Sequence, residues 1–268
     1  MFDISLDARF LPEDSSITDS SNLETYTSLC GVAATDSIIF SKFRSARIMV
    51  DALDHVSLAQ ANSYLDEILK YGVWNSEFTR ALHHIDSIGQ PKKFKFKTVG
   101  IFSPTLLRYL KVYLDLRALF GPVKDFKIAE IGIGFGGQAS LIHLLDKPIS
   151  YSFYDLPPVL ALASKFFDGL EIKGDFKFID GRYPEESTPD LLVSNYAFSE
   201  LSPKVQDAYL QRVILNSTRG YITWNSLSAD QLGGYSLANL VRVIPNSQII
   251  PETPNTSTNN AVIVWGAK

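Results

Sequence analysis

Ala129-Glu130-Ile131-Gly132-Ile133-Gly134-Phe135-Gly136-Gly137 is the stretch whose reading decides the fold. The apolar run Phe126-Lys127-Ile128-Ala129 leading into it reads as a short buried strand. Gln138-Ala139-Ser140-Leu141-Ile142-His143-Leu144-Leu145 after it has helix-forming composition. Glycines at alternate positions between a strand and a helix let the main chain turn sharply. They also let a ligand lie directly on the backbone, where a Cβ would collide. The start of the next helix offers free N–H groups and the positive end of its dipole. Such a loop suits a nucleotide-type cofactor.

Two cofactor classes fit it. Gly132, Gly134 and Gly137 satisfy G-x-G-x-x-G, the dinucleotide fingerprint. Glu130, Gly132, Gly134 and Gly136 satisfy the E/D-x-G-x-G-x-G loop of S-adenosylmethionine-dependent methyltransferases. Glu130 separates the two. A carboxylate at the strand end would repel an anionic pyrophosphate, whereas the ammonium and sulfonium of S-adenosylmethionine are cationic and would be favoured.

Working outward, strands and helices alternate from residue 126 onward, which predicts a parallel sheet with helices on both faces. Strands are expected at 126–131, 149–154, 175–179, 190–195, 219–224, 247–250 and 260–265, with helices near 137–145, 157–168, 202–214 and 235–243. Only the Thr- and Asn-rich turn 252–259 separates the last two strands. That is too short for a parallel crossover, so they should form an antiparallel hairpin. The expected fold is therefore α/β: a Rossmann-like, seven-stranded class I methyltransferase sheet with a terminal antiparallel hairpin, preceded by a mainly helical N-terminal region. The division is placed at 122/123, with 1–122 as a lid, substrate-binding or oligomerisation region and 123–268 as the cofactor-binding domain.

Doubly wound sheets bind ligands outside the carboxyl ends of their strands, so those ends name the site. The second strand ends at Asp155, where a carboxylate can accept both ribose hydroxyls, and Leu156 can press on the adenine face. The third ends at Asp180-Gly181. Asp180 there either receives the adenine amino group or simply forms an Asp-Gly turn. The fourth runs out through Ser194-Asn195-Tyr196-Ala197-Phe198-Ser199-Glu200, a segment expected to stand over the transferred group, with Ser194 and Asn195 at the cofactor.

The residues Glu130 to Gln138, Tyr154-Asp155-Leu156-Pro157 and Ser194 to Glu200 together resemble the sugar O-methyltransferase family. Upstream, Ser103-Pro104-Thr105-Leu106-Leu107-Arg108-Tyr109-Leu110 and Leu116-Arg117-Ala118-Leu119-Phe120-Gly121 are similar to it as well. The likeness covers roughly residues 85 to 266. It implies a class I methyltransferase fold and methyl transfer to a sugar hydroxyl. Such a hydroxyl must lose its proton as the methyl arrives, so a general base is required. Glu200, one turn beyond the fourth strand, is the candidate, with a dipole-stabilised helix N-terminal carboxylate as the competing account. Tyr196 and Asn195 are candidate orienters. His143 is an outside candidate for the base, but its place inside the helix after the glycine loop makes packing the expectation.

The N-terminal third adds less chemistry. Residues 1 to about 30 are acidic and polar and read as a loosely ordered arm. Helical periodicity runs from about 35 to 88, with Ser57 as N-cap of Leu58 to Lys70 and Asn75 or Ser76 starting another helix through Ile85. His83 and His84 are neighbours, so they point about 100° apart and cannot share a metal from one helix face. Pro91-Lys92-Lys93-Phe94-Lys95-Phe96-Lys97 alternates Phe inward and Lys outward, the pattern of an edge strand or extended arm. A clamp for an anionic substrate is the functional alternative there. Ser103-Pro104 starts a Leu-rich helix ended by Gly121-Pro122, which should pack on the cofactor domain and border the site.

A net charge of −4 argues against general nucleic-acid binding. The single cysteine, Cys30, excludes a disulfide framework and a cysteine-based metal site. No residue cluster calls for a metal, and S-adenosyl-L-methionine is the one cofactor expected. The expected partner is a small-molecule or glycan acceptor, including a nucleotide sugar, with self-association left open. The absence of a long apolar run or leader makes a cytoplasmic location the expectation, with no membrane insertion. A non-catalytic scaffold on the same fold and a nicotinamide-dependent oxidoreductase are the competing functions.

Overall fold

The computed structural model describes residues 20–97 and 99–267. The helical N-terminal region comprises α1 (Ser20–Thr35), α2 (Ser37–Phe40), α3 (Arg47–Ala52), α4 (Leu58–Lys70) and α5 (Ser76–Ile85). Ser57 caps α4 in a full capping box with Gln60, and the Asn75 side chain caps α5. Residues 1–19 of the expected acidic arm lie outside the described residues. From Ser20 onward the expectation of loose order is corrected: α1 is a helix packed on α8, with Cys30 and Ala33 fully buried. Its apolar face outweighs the polar composition that suggested an arm.

The Lys/Phe alternation becomes β1 (Phe94–Phe96), paired antiparallel with β2 (Gly100–Phe102) in a small two-stranded ribbon. Phe96 is buried while Lys95 and Lys97 are exposed. Next comes α6 (Pro104–Phe120), with Pro104 in its first turn and Gly121, at φ +81°, closing it. Ser103 holds the N-cap position, yet its hydroxyl donates to Asp86 rather than capping the helix. Eleven consecutive residues, Pro104 to Leu114, are buried, so α6 is a central helix and not a surface one. Each fully buried leucine on it contributes roughly 1.5–3 kcal/mol.

The main sheet has β3 (Lys127–Ile131), β4 (Ser150–Asp155), β5 (Phe176–Asp180), β6 (Leu191–Asn195), β7 (Gly220–Trp224), β8 (Gln248–Pro251) and β9 (Ala261–Trp265). Their spatial order is β5-β4-β3-β6-β7-β9-β8. The first five are parallel, and β9 runs antiparallel to both β7 and β8. The expected terminal hairpin is present, and β9 enters between β7 and β8. Of the crossover helices, α7 (Gly137–Asp146) and α8 (Pro157–Gly169) cover one face. The other carries α9 (Pro203–Tyr209), the π-helical turn Leu210–Ile214 that continues it, α10 (Ser226–Leu232) and α11 (Leu237–Val243). The short helix α10 has no counterpart in the sequence reading.

Side chains alternate across the sheet as strand geometry requires. Ile128, Tyr151 and Val193 join a core shared with α6, α7, α8 and the N-terminal helices, whereas Ala129, Tyr154 and Leu192 join the core under α9 and α11. The first core therefore contains residues from both sides of position 122. No helix among the described residues is long and apolar enough to cross a membrane.

Candidate functional site

Chain direction reverses at β3: crossovers run to β4 and β5 on one side, then to β6 and β7 on the other. Ligands bind at such a switch point, outside the carboxyl ends of the strands. A cleft of about 810 Å³ opens there, within the range of small-molecule sites. Its floor is the glycine loop and the end of β4, one wall is the segment after β6, and the roof comes from α1, the α3–α4 connection, α4 and α6.

The glycines divide by task. Gly132 has φ +81°, and a Cβ there would lie 2.1 Å from the Ala197 Cβ. Its N–H donates to Tyr154 O at 2.8 Å. Gly134 has φ +56°, and its N–H donates to Asp155 Oδ2 at 3.0 Å. Both line the cleft. Gly136 does not. It is the residue before α7, at φ +91°, and packs against Phe167.

Asp155 also accepts from the Leu156 N–H at 2.8 Å. Burial pushes its carboxyl up to about 6, against the opposing pull of the two backbone donors. Asp155 and Leu156 stand side by side on the cleft wall, with Leu156 leading into α8.

Besides Gly136, three more expected cofactor residues are placed elsewhere. Glu130 shares a sheet face with Ile128, is 2% exposed and does not line the cleft. It accepts a 2.6 Å hydrogen bond from the Tyr151 hydroxyl, and burial raises its carboxyl to about 8. The charge on which the choice of cofactor leaned is thus shut inside the core, because period-two alternation turns residue 130 away from the loop it precedes. Asp180 forms a double ion pair with Arg182 and accepts the Arg182 N–H, so the turn reading describes it. Burial pulls its carboxyl up, but Arg182 outweighs this and holds it below the usual range. Ser194 is fully buried, donating to Ile131 O and accepting from the Phe198 N–H, and it braces the turn rather than facing the cleft.

The rest of that segment does face it. Asn195 ends β6, and its side chain accepts from the Thr223 hydroxyl. Tyr196 is held at φ +68°, a left-handed conformation that is strained for a non-glycine residue. Its N–H donates to Thr223 O, and its hydroxyl donates to Glu252. A 3₁₀ turn, Ala197–Glu200, then carries Glu200 to the cleft wall. Helix α9 starts only after Ser202, so Glu200 precedes the cap and is not a first-turn helix carboxylate. Burial raises its carboxyl above the usual range, while the Asn225 amide donating at 3.3 Å pulls the other way.

Sequence reasoning left the roof residues unnamed. Tyr26, His55, Gln60, Tyr64 and Arg108 all line the cleft. The helical pattern had put Tyr64 on the buried face of α4 but gave no reason to look further. Beneath the roof, Arg44 is fully buried, bonded to Asp54, Asp86 and Ser103. Nothing in the spacing of those four residues announces that network. His143 is packed against Phe176, outside the cleft, as expected. His83 lies against the Phe102 ring, and His84 bonds to Leu170 O. Among the described residues no cluster of three metal-ligating side chains occurs.

No family model matches the chain, and no curated protein sequence does. Among solved structures it is similar to mitomycin 7-O-methyltransferase, with 12% identity, a TM-score of 0.44 and 60% of this chain covered; the match spans only 55% of that protein. It is similar to the methyltransferase domain of bacterial CtHen1, with 11% identity, a TM-score of 0.46 and coverage of 59% of this chain and 96% of that one. It is also similar to magnesium protoporphyrin IX methyltransferase from Synechocystis with bound SAM, with 13% identity, a TM-score of 0.45 and coverage of 59% and 78%. These likenesses concern the fold, which the strand order β5-β4-β3-β6-β7-β9-β8 with its antiparallel β9 already defines.

Proposed function

We propose that the chain is an S-adenosylmethionine-dependent O-methyltransferase whose acceptor is a hydroxyl on a sugar or glycan. One observation carries the reading: Gly132, Gly134, Asp155, Leu156, Tyr196 and Glu200 meet on a single cleft at the switch point of a sheet with a terminal antiparallel hairpin. The cofactor fits what is there. Gly132 and Gly134 both line the cleft, so a ligand can lie along the main chain of the loop. An ionised carboxylate has about four lone-pair positions, and two of those on Asp155 are used by Gly134 and Leu156. The remainder suit the two ribose hydroxyls, and Leu156 suits the adenine face.

When bound, the cofactor supplies an electrophilic methyl group. Everything else falls to the chain. Glu200 accepts the proton of the acceptor hydroxyl as the new C–O bond forms, and the burial that raises its carboxyl makes it a stronger proton acceptor than an exposed glutamate. Asn225 fixes the orientation of that carboxylate. The rings of Tyr196 and Tyr64 offer apolar surface against which the C–H face of a sugar can lie. The bond from the Tyr196 hydroxyl to Glu252 and the burial of Tyr64 hold the two rings still, which favours positioning as a source of rate. The sugar itself rests on the family resemblance of residues 130–138, 154–157 and 194–200.

Calorimetric titration with S-adenosylmethionine, S-adenosylhomocysteine and NADH is the test. Binding of the first two without NADH is the expected result, followed by methyl transfer to sugars or glycan extracts. Binding of NADH alone overturns the reading. Binding of none of the three favours a scaffold without a cofactor.

A further inference from the structure

Three lysine or arginine side chains are buried among the described residues: Arg44, Arg108 and Lys111. A buried cation is costly unless it is paired. Arg44 has Asp54 and Asp86, and Lys111 has Asp115 at 2.7 Å. Arg108 differs. It is 9% exposed, and among the described residues no carboxylate lies within ion-pair distance of it. Its Nη2 donates to Leu53 O at 3.1 Å, and its guanidinium lies 5.6 Å and 5.9 Å from the Tyr109 and Tyr196 ring centres. These contacts leave most of its five N–H donors unused and its charge unbalanced. Glu252 lines a small adjoining cavity together with Arg108 and Tyr196 but makes no ion pair with Arg108. It is already engaged by the Tyr196 hydroxyl and by the N–H and hydroxyl of Thr256, and it does not line the cleft.

We infer that Arg108 is the counter-charge for a carboxylate carried by a ligand of the cleft. This rests on the function proposed above and sharpens it. A planar carboxylate matches the guanidinium fork. A phosphate dianion matches poorly, because the other cleft arginine, Arg182, is committed to Asp180, and Glu200 shares the wall. The carboxylate comes either from the amino-acid end of the cofactor or from an acidic acceptor such as a uronic acid. The position favours the first source. The carbonyl that holds Arg108 belongs to Leu53, whose side chain lies over Gly134, and Tyr196 directly follows the end of β6.

The test works from the ligand side first, on the wild-type full chain. S-adenosylhomocysteine is compared with its decarboxylated analogue, and D-glucuronate with D-glucose on protein saturated with S-adenosylhomocysteine. A charge-assisted pair of this kind is worth on the order of 10- to 100-fold in Kd. Loss of that factor in the decarboxylated analogue places the carboxylate on the cofactor, and a like preference for glucuronate over glucose places it on the acceptor. In Arg108→Gln, shown to be folded by its melting transition, whichever preference exists should vanish, and Arg108→Lys should restore part of it. The inference is overturned if the wild type shows neither preference, or if Arg108→Gln keeps the one it shows. Should neither nucleoside bind the wild type, the cofactor reading fails separately, and glucuronate against glucose on the free protein still judges Arg108.

Discussion

Replacing Glu130 with Gln tests how the strand before the glycine loop is built. Glu130 is enclosed between strands, accepts one hydrogen bond from Tyr151, and has its carboxyl raised from 4.5 to about 8 by burial, with Asp155 adding to the rise and Tyr151 opposing it. The folded chain thus binds this proton more tightly than the unfolded chain does. The stabilisation is fully present below pH 4.5 and is lost as pH rises through about 8. Between those limits the slope approaches about 1.4 kcal/mol per pH unit, and the full span amounts to at most about 5 kcal/mol. Glutamine is neutral throughout and can still accept from the Tyr151 hydroxyl. Urea unfolding of both proteins at pH 5, 6, 7 and 8 isolates the effect, because every other group titrates alike in the two. Glu130→Gln should gain on the wild type steadily as pH rises. Parallel stability curves over that range would show that Glu130 is ionised in the folded protein and that the burial argument is wrong.

Four further outcomes follow from the same geometry. Glu200→Gln should reduce methyl transfer by roughly 10²–10⁴-fold while leaving S-adenosylhomocysteine affinity within a few-fold, and the wild-type rate should climb with pH as the raised Glu200 carboxyl ionises. Gly132→Ala places a Cβ against Ala197 and should cost at least about 2 kcal/mol in chemical denaturation. Gly72→Ala, also at positive φ but with open space around it, should cost only about 1 kcal/mol, so equal losses would contradict the packing account. Arg44→Met leaves Asp54 and Asp86 buried without their cation and should cost about 3–5 kcal/mol, read from the same melts. Glu130 is shut away from the cleft, so Glu130→Gln should leave the number of protons exchanged on S-adenosylmethionine binding near pH 7 unchanged, which calorimetry in buffers of different ionisation enthalpy measures; a change in that number would put Glu130 in the binding chemistry.

The sheet was legible because its signals are local. A glycine loop between an apolar strand and a helix, a carboxylate closing the next strand, and a 252–259 turn too short for a crossover each constrain topology within a few residues. The site was half legible for the same reason. Asp155, Leu156, Tyr196 and Glu200 follow strand ends, and strand ends at a switch point face the cleft whatever surrounds them. Glu130 and Ser194 lie within the strands, where alternation sends a side chain into one core or the other, and a motif match does not report that direction. Asp180 was lost to a partner two residues away, Arg182, which a motif cannot weigh against a ligand. The roof was not legible at all. Arg108 meets Leu53 and Tyr196 across separations of 55 and 88 residues, and only the packing of α6 under the N-terminal helices brings them together.

That packing also ties the roof to the floor through one short connection. Leu53 and Asp54 are adjacent in the link between α3 and α4. The Leu53 side chain lies over Gly134, and its carbonyl holds Arg108. Asp54 holds Arg44, which reaches Asp86 and the Ser103 hydroxyl at the start of α6, the helix that carries Arg108. A ligand pressing on the glycine loop therefore meets Leu53 directly, and any shift there is felt by a buried ion-pair network in which every charge is already committed. Such a network resists small displacements, because moving one member strands another without its partner. Residues 53 and 54 thus fix the described roof of the cleft to α6 and α5, so that this wall is preformed.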